Sequence, residues 1–298
     1  MKRKIIKLAE QTLVVSLPKT WVDSQQLQKG DELDTYIEDD KLIFQSEAQS
    51  KKLQKEIDVA GLSERVLRWK LSSFHKQGYD ELVVCNYSQE QYSVIEDVVE
   101  QLFLGFLMKE RTEKRITLSQ VAATDVKEFD PTLRRAFRQL QQMLRELSDA
   151  LHKKDEALLA AQIKAEQQNN KLTNFCERLL NKNLLNKEKG HFWYVLAWNL
   201  EKCADTIKYI AKEYSGKEVS EESLVYLKDL QNYTDNVATL LYDFSYQKME
   251  DMNTRKKQLE KKVLDALHDA PASDRVYLHY VHGFILQLAD FSASIIAL

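Results

Sequence analysis

Two rhythms divide the chain. From about residue 130 onward, apolar residues recur every three or four positions, and Leu133, Phe137, Leu140, Leu144, Leu147 and Leu151 make one stripe. That spacing places side chains on one face of an α-helix. It predicts a helix with Asp130 as N-cap and Pro131 at the first helical position. Similar stripes predict helices at about 155–182 and 190–214, with "NLLNKEKG" as the break between them. After "SGKEV", Ser220 followed by Glu221 and Glu222 opens a second set, at about 220–244, 246–268 and 274–298. Two consecutive triplets of long helices indicate an internal repeat, read from element lengths rather than from identity.

Ahead of residue 130 the pattern alternates between element types. "KLQKEIDV" reads as a strand and "LSERVLRWKLSSFHKQ" as a helix burying Val66, Leu67, Trp69, Leu71 and Phe74. A buried strand in "GYDELVVCNY", a helix in "SQEQYSVIEDVVEQLF" and strands in "FLMKE" and "RITLSQV" complete an α/β layer. Gly78 stands where a helix C-terminus wants a left-handed residue. The first 45 residues hold four short β-branched runs, "RKIIKL", "TLVVSL", "LDTYI" and "KLIFQ", the last two flanking "EDD" as a hairpin. Pro18 ends the second run, "TWVDSQQL" is long enough for a turn or two of helix, and Gly30 is the expected positive-φ residue. A sheet this small, with two exposed edges, is expected to pair with a second copy.

The predicted fold class is multidomain and mainly α. A small β module spans 1–47, an α/β connecting domain 48–126, and two three-helix units 127–216 and 217–298. With only 7 Gly and 3 Pro, an all-β body is excluded. Cys85, Cys176 and Cys203 are odd in number and widely spaced, which fits a reducing compartment and small buried side chains. No apolar run reads as a membrane span and "MKRKIIKLAE" lacks the apolar core of a signal peptide, so a cytoplasmic protein is expected. The net charge of −3 argues against indiscriminate nucleic-acid binding, but residues 1–20 are basic and 31–40 acidic. Such polarity can orient a module against phosphates, because screening leaves only the nearer charges to act.

The basic strand, "VVSLPKTWV", "KGDEL" and the closing hairpin resemble the swapped-hairpin DNA-binding module of the AbrB family, in which two chains interleave their strands. Where many relatives have a Gly-rich turn between the first two strands, this chain has "AEQ". Together with "GYDELVV", "LFLGFLMKE", "DPTLRRAFRQLQQMLRELSDAL" and the two triplets, the order of segments is similar to that of archaeal PhoU-like phosphate uptake regulators. The resemblance implies a homodimeric transcription regulator that touches DNA through Arg3, Lys4, Lys7 and Lys19, with Trp21 packing the turn. It also implies two PhoU-like three-helix bundles and a Glu-x-x-x-Asp pair on the third helix, here Glu201 and Asp205, where iron or zinc could bind. This chain departs at two positions: Glu166 is followed four residues on by Asn170, and Asp290 is preceded by Leu286.

Other chemistry is sparse. No nucleophile elbow, Walker-type phosphate loop or H-E-x-x-H stretch is present, so an enzyme is not expected. His279 and His282 read as packed, half-buried imidazoles, and "HFWYVLAW" as the start of a core-facing helix or a subunit interface. An alternative to DNA regulation is an adaptor that docks its helical body on a phosphate transporter or sensor kinase and uses the head only to dimerise.

Overall fold

The computed structural model describes residues 2–8, 12–38, 40–46, 52–121, 125–182 and 189–298. The "AEQ" turn at 9–11, the boundary expected at 47–48 and the break at 183–188 lie outside the described residues. Contacts divide the chain into two units, Met1–Lys52 and Leu53–Leu298. The molecule is mostly helical, with small sheets toward the N-terminus and a helical C-terminal region.

In the first unit, β1 (Ile5–Lys7) pairs antiparallel with β2 (Leu13–Val15), Ile6 opposite Val14. Pro18 stops β2, and α1 (Lys19–Ser24) follows as a short helix. Gly30 takes φ +102°, a conformation open to glycine because it has no Cβ. A hairpin of β3 (Leu33–Glu38) and β4 (Lys41–Ser46) closes the unit, Ile37 opposite Leu42. None of its residues whose side chains are described is buried.

The second unit begins with a four-stranded sheet. Its strands are β5 (Gln54–Asp58), β6 (Glu81–Cys85), β7 (Phe106–Arg111) and β8 (Arg115–Gln120), in the order β5-β6-β8-β7. β5 and β6 run parallel and the other pairs antiparallel. The parallel pair requires a crossover, which α2 (Glu64–Lys76) supplies. α3 (Gln89–Leu102) follows β6, opened by a capping box between Ser88 and Gln91. Ile57, Leu82, Val84, Ile116 and Leu118 of the sheet share a core with Leu67 and Leu71 of α2 and Ile95 and Val98 of α3. Val66 and Trp69 differ from their expected burial: both face solvent, and Trp69 carries Arg65 over its ring at 4.9 Å. An apolar residue on a helix is not bound to the core face when a long cation can cover it.

Among the described residues seven further helices follow. They are α4 (Phe129–Lys153), α5 (Glu156–Asn181), α6 (Gly190–Glu213), α7 (Glu221–Tyr242), α8 (Tyr246–Asp269), α9 (Ala272–Ala289) and α10 (Phe291–Ala297). α4, α5 and α6 touch one another, as do α7, α8 and α9, and α4–α7, α6–α9 and α6–α10 contacts join the triplets over one continuous core. Asp130 is not the cap of α4. A 3-10 turn at Val126–Glu128 leads into the helix at Phe129, so the Asp130 carboxylate lies in the first turn and accepts from Arg134 Nε at 2.7 Å. The expected single helix at 274–298 is broken at Asp290 into α9 and α10. By length and composition Ala272–Ala297 is long and apolar enough to cross a membrane. Its Tyr277, Leu278, Val281, Phe284, Ile285 and Leu288 face the bundle core.

The α/β layer and the bundle meet at α5, which touches α2 and α3. With helices on both sides, α5 buries nine consecutive residues, Leu172 to Leu180. Arg178 among them is fully buried. Its Nη1 donates to the His75 carbonyl (2.8 Å), and its Nη2 to Asp80 Oδ1 (3.1 Å) and Gln120 Oε1 (2.6 Å). Lys182 reaches the same Asp80 oxygen. Gly78 follows α2 with φ +95°, its N–H donating to the His75 carbonyl (3.0 Å). A Cβ there would meet Lys182 Cγ at 2.7 Å, so the glycine serves both the turn and the close approach of α5.

Candidate functional site

The two sets of residues that the sequence singles out lie in different units and have different surroundings. Lys7 is on β1, Lys19 opens α1, and Arg3 and Lys4 precede β1. All four are exposed, and none of their side chains has an ion pair or hydrogen bond among the described residues. Strand alternation carried back from β1 would set Arg3 with Lys7 on one face and Lys4 on the other. Trp21 is half-buried in α1, whose turns are closed by Trp21 and Val22 N–H groups donating to the Pro18 carbonyl at 3.0 Å.

Apolar side chains accompany these cations. Ile5, Leu8, Leu13 and Ile37 are 72, 72, 66 and 78 % exposed, and Ile6 and Leu42 lie open as well. Exposing six large aliphatic side chains within about 40 residues forfeits roughly 1.5–3 kcal/mol for each that another surface could cover. The unit therefore has the composition of half a core.

Glu201 and Asp205 lie one turn apart on α6, as the four-residue spacing requires. Lysines surround them. Lys76 of α2 sits 2.8 Å from Glu177 Oε2 and 3.2 Å from Glu201 Oε2. Lys202 lies 3.5 Å from Glu201 Oε1 and 2.9 Å from Asp205 Oδ2. Lys208 lies 2.6 Å from Asp205 Oδ1 and 2.7 Å from Glu166 Oε1, an oxygen that also accepts from Asn170 Nδ2 at 2.6 Å. The result is an alternating ladder running Glu177, Lys76, Glu201, Lys202, Asp205, Lys208, Glu166 across α5, α2 and α6. The Trp198 ring lies under both Lys76 (5.3 Å) and Lys202 (4.9 Å).

Burial and pairing compete along this ladder. Burial opposes ionisation of Asp205, but hydrogen bonds from Lys208 and Lys202 outweigh it and hold the carboxyl below its usual value. At Glu166 burial wins over the Lys208 contact and raises the carboxyl, and burial also raises Glu177. For Lys76, Lys202 and Lys208 burial is again opposed, and the facing carboxylates keep all three charged with raised values. A resident iron or zinc ion needs convergent donors free of competing cations. Among the described residues no group of three or more His, Cys, Asp or Glu side chains gathers in that way, and ammonium groups engage both Glu201 and Asp205. The ladder residues do not fit the expected metal.

Sequence reasoning did not reach Lys76, Glu177 or Lys208. Lys208 could have been found from its three-residue spacing to Asp205, whereas Lys76 comes from 125 positions away. His279 and His282 are not a half-buried pair: His279 is exposed, and His282 Nε2 lies 3.5 Å from Glu260 Oε1 on α8. Within "HFWYVLAW", Leu196 and Ala197 enter the core while Val195 and Trp198 stay open. No family model, curated protein or solved structure matches the chain.

Proposed function

We infer that the protein is a cytoplasmic, homodimeric DNA-binding regulator of the PhoU-like type, linked to phosphate uptake or signalling. Its AbrB-like, swapped-hairpin head reads DNA, and two PhoU-like bundles receive the signal. The observation that carries this reading is the coincidence, in one small unit, of uncovered aliphatic side chains with the cations Arg3, Lys4, Lys7 and Lys19, which have no ion-pair partner among the described residues. A second copy supplies the missing half of the core, and dimerisation doubles the basic residues along one duplex. Regulation is binding linkage: an event on the helical body changes the affinity of two heads for DNA.

The acidic residues Asp31, Glu32, Asp34 and Asp40 favour the second reading, an adaptor that uses the head only to dimerise and docks on a transporter or sensor kinase. Titration of labelled duplex DNA separates the two. The regulator binds at about 50 mM salt, and losing two cations per head in Lys4→Ala/Lys7→Ala weakens binding and flattens its salt dependence. Absence of binding, or binding unchanged in that variant, overturns the DNA reading.

A further inference from the structure

The seam between α4 and α7 differs from other clefts of the helical body in its charge. Two clefts between α7 and α8 include Asp229 or Asp251 in their lining, and one beside the α6–α7 connection includes Glu218 and Asp274. The α4–α7 cleft, of about 280 Å³, is lined by Arg134, Phe137, Arg138, Gln141, Ala238, Thr239 and Tyr242, with no carboxylate. Arg134 and Arg138 are one helical turn apart, which sets their stems roughly 6 Å from each other.

The two arginines are prepared differently. Arg134 is held: its Nε donates to Asp130, and its guanidinium carbon stacks 3.5 Å from the Tyr242 ring centroid. The terminal nitrogens of Arg134 carry no hydrogen bond among the described residues, and Arg138 has no ion-pair or hydrogen-bond partner there at all. Asp235 of α7 is already engaged, since Gln141 Nε2 donates to its Oδ1 at 2.7 Å, and Asp243, next after Tyr242, pairs with Lys248. The Tyr242 hydroxyl is buried without a hydrogen-bond partner. Phe137 and Ala238 give the cleft an apolar side.

We propose that this seam binds a compact dianionic oxyanion, a phosphoryl group or a dicarboxylate, between the guanidinium groups of Arg134 and Arg138. Guanidinium forks match such oxygens two at a time, and the fixed Arg134 lowers the ordering cost of binding. The volume admits a small organic body behind the anion as well as a free ion. A ligand held there would bridge the two helical triplets, because α4 belongs to one and α7 to the other. The site stands whether or not the head binds DNA.

Calorimetric titration of the full chain with inorganic phosphate, succinate and chloride at matched ionic strength tests it. Saturable binding of phosphate or succinate is expected below about 10 mM, weakened at least about tenfold in Arg138→Ala and abolished in Arg134→Ala/Arg138→Ala, with Arg255→Ala as an unaffected control. Phosphate without succinate identifies a phosphoryl ligand, and the reverse a dicarboxylate. No saturable heat from either, an equal response to chloride, or binding that survives in the double variant overturns the proposal. Arg138 is exposed, so its single variant keeps the fold, which thermal melting checks.

Discussion

Helices α5 and α8 are each the second member of a triplet and of nearly equal length, yet they are used in opposite ways. α5 buries Leu172 to Leu180 without a gap, whereas α8 buries only Met252, Leu259 and Val263. The cause is the α/β layer, whose α2 and α3 cover the outer side of α5. α8 packs on α7 and α9 and presents Arg255, Lys257, Lys261 and Lys262 to solvent. Coverage also changed the polar chemistry. On α5, Glu177, Arg178 and Glu166 sit inside and meet charged partners from other elements, while α8 makes exposed pairs such as Lys262–Asp229. Exposed pairs of that kind contribute at most about 1 kcal/mol, and buried ones cost far more when one member is lost.

The contrast can be broken most severely at Arg178. Replacing it with Ala removes three hydrogen bonds between α5 and the α/β layer, and a loss of roughly 3–5 kcal/mol in urea unfolding is expected. A loss under about 1 kcal/mol would mean the two layers are held by apolar contact alone. Next is Lys208→Met, which leaves Glu166 and Asp205 without their shared cation, at a cost of about 2–4 kcal/mol near neutral pH. The deficit should shrink in acid. Glu166 has a folded value raised above its unfolded one, so its protonated form favours folding below that range, and taking up a proton relieves the unpaired charge.

His75 offers a gentler test. Burial, with Arg178 and Lys76 adding to it, holds the imidazole well below its ordinary value, and it stacks on Phe103 at 4.2 Å. Because the folded value is depressed, the unfolded chain takes up the proton first. Stability present above about pH 6.5 is then lost as pH falls toward the folded value, by up to about 1.4 kcal/mol per pH unit. His75→Phe should flatten that part of the stability–pH curve, and an unchanged slope would assign it to other groups. Smallest of all is Arg255→Ala on α8, expected to shift stability by less than about 0.5 kcal/mol in the same urea series. A larger loss would show that the α8 surface is structurally engaged after all.

Much of this framework was legible in the sequence. The α4 stripe from Leu133 to Leu151 is buried at every named position, and Gly30 and Gly78 take positive φ. Periodicity reports which residues of one element face inward, and backbone constraint marks the turns. It does not report what an element is covered by. That is why Val66 and Trp69 were misplaced on α2, and why Arg178, Asn169 and Gln162 give no sign in the sequence of being buried. The candidate site divides in the same way. Glu201 and Asp205 were singled out by the family resemblance, but their meaning depends on Lys76, brought from α2 only by the tertiary fold.

The alternation of the ladder also bears on how this chain can vary. A neutral substitution at Lys76 or Lys208 strips Glu177 or Glu166 of its cation, whereas loss of Glu201 or Asp205 leaves each neighbouring lysine a second carboxylate, because the ladder holds four acids and three lysines. Single steps are therefore costly at the lysines and milder at the inner acids, and loss of a lysine should be accompanied by loss of a neighbouring carboxylate. The ladder therefore has an order of erosion: its inner acids can go before its lysines.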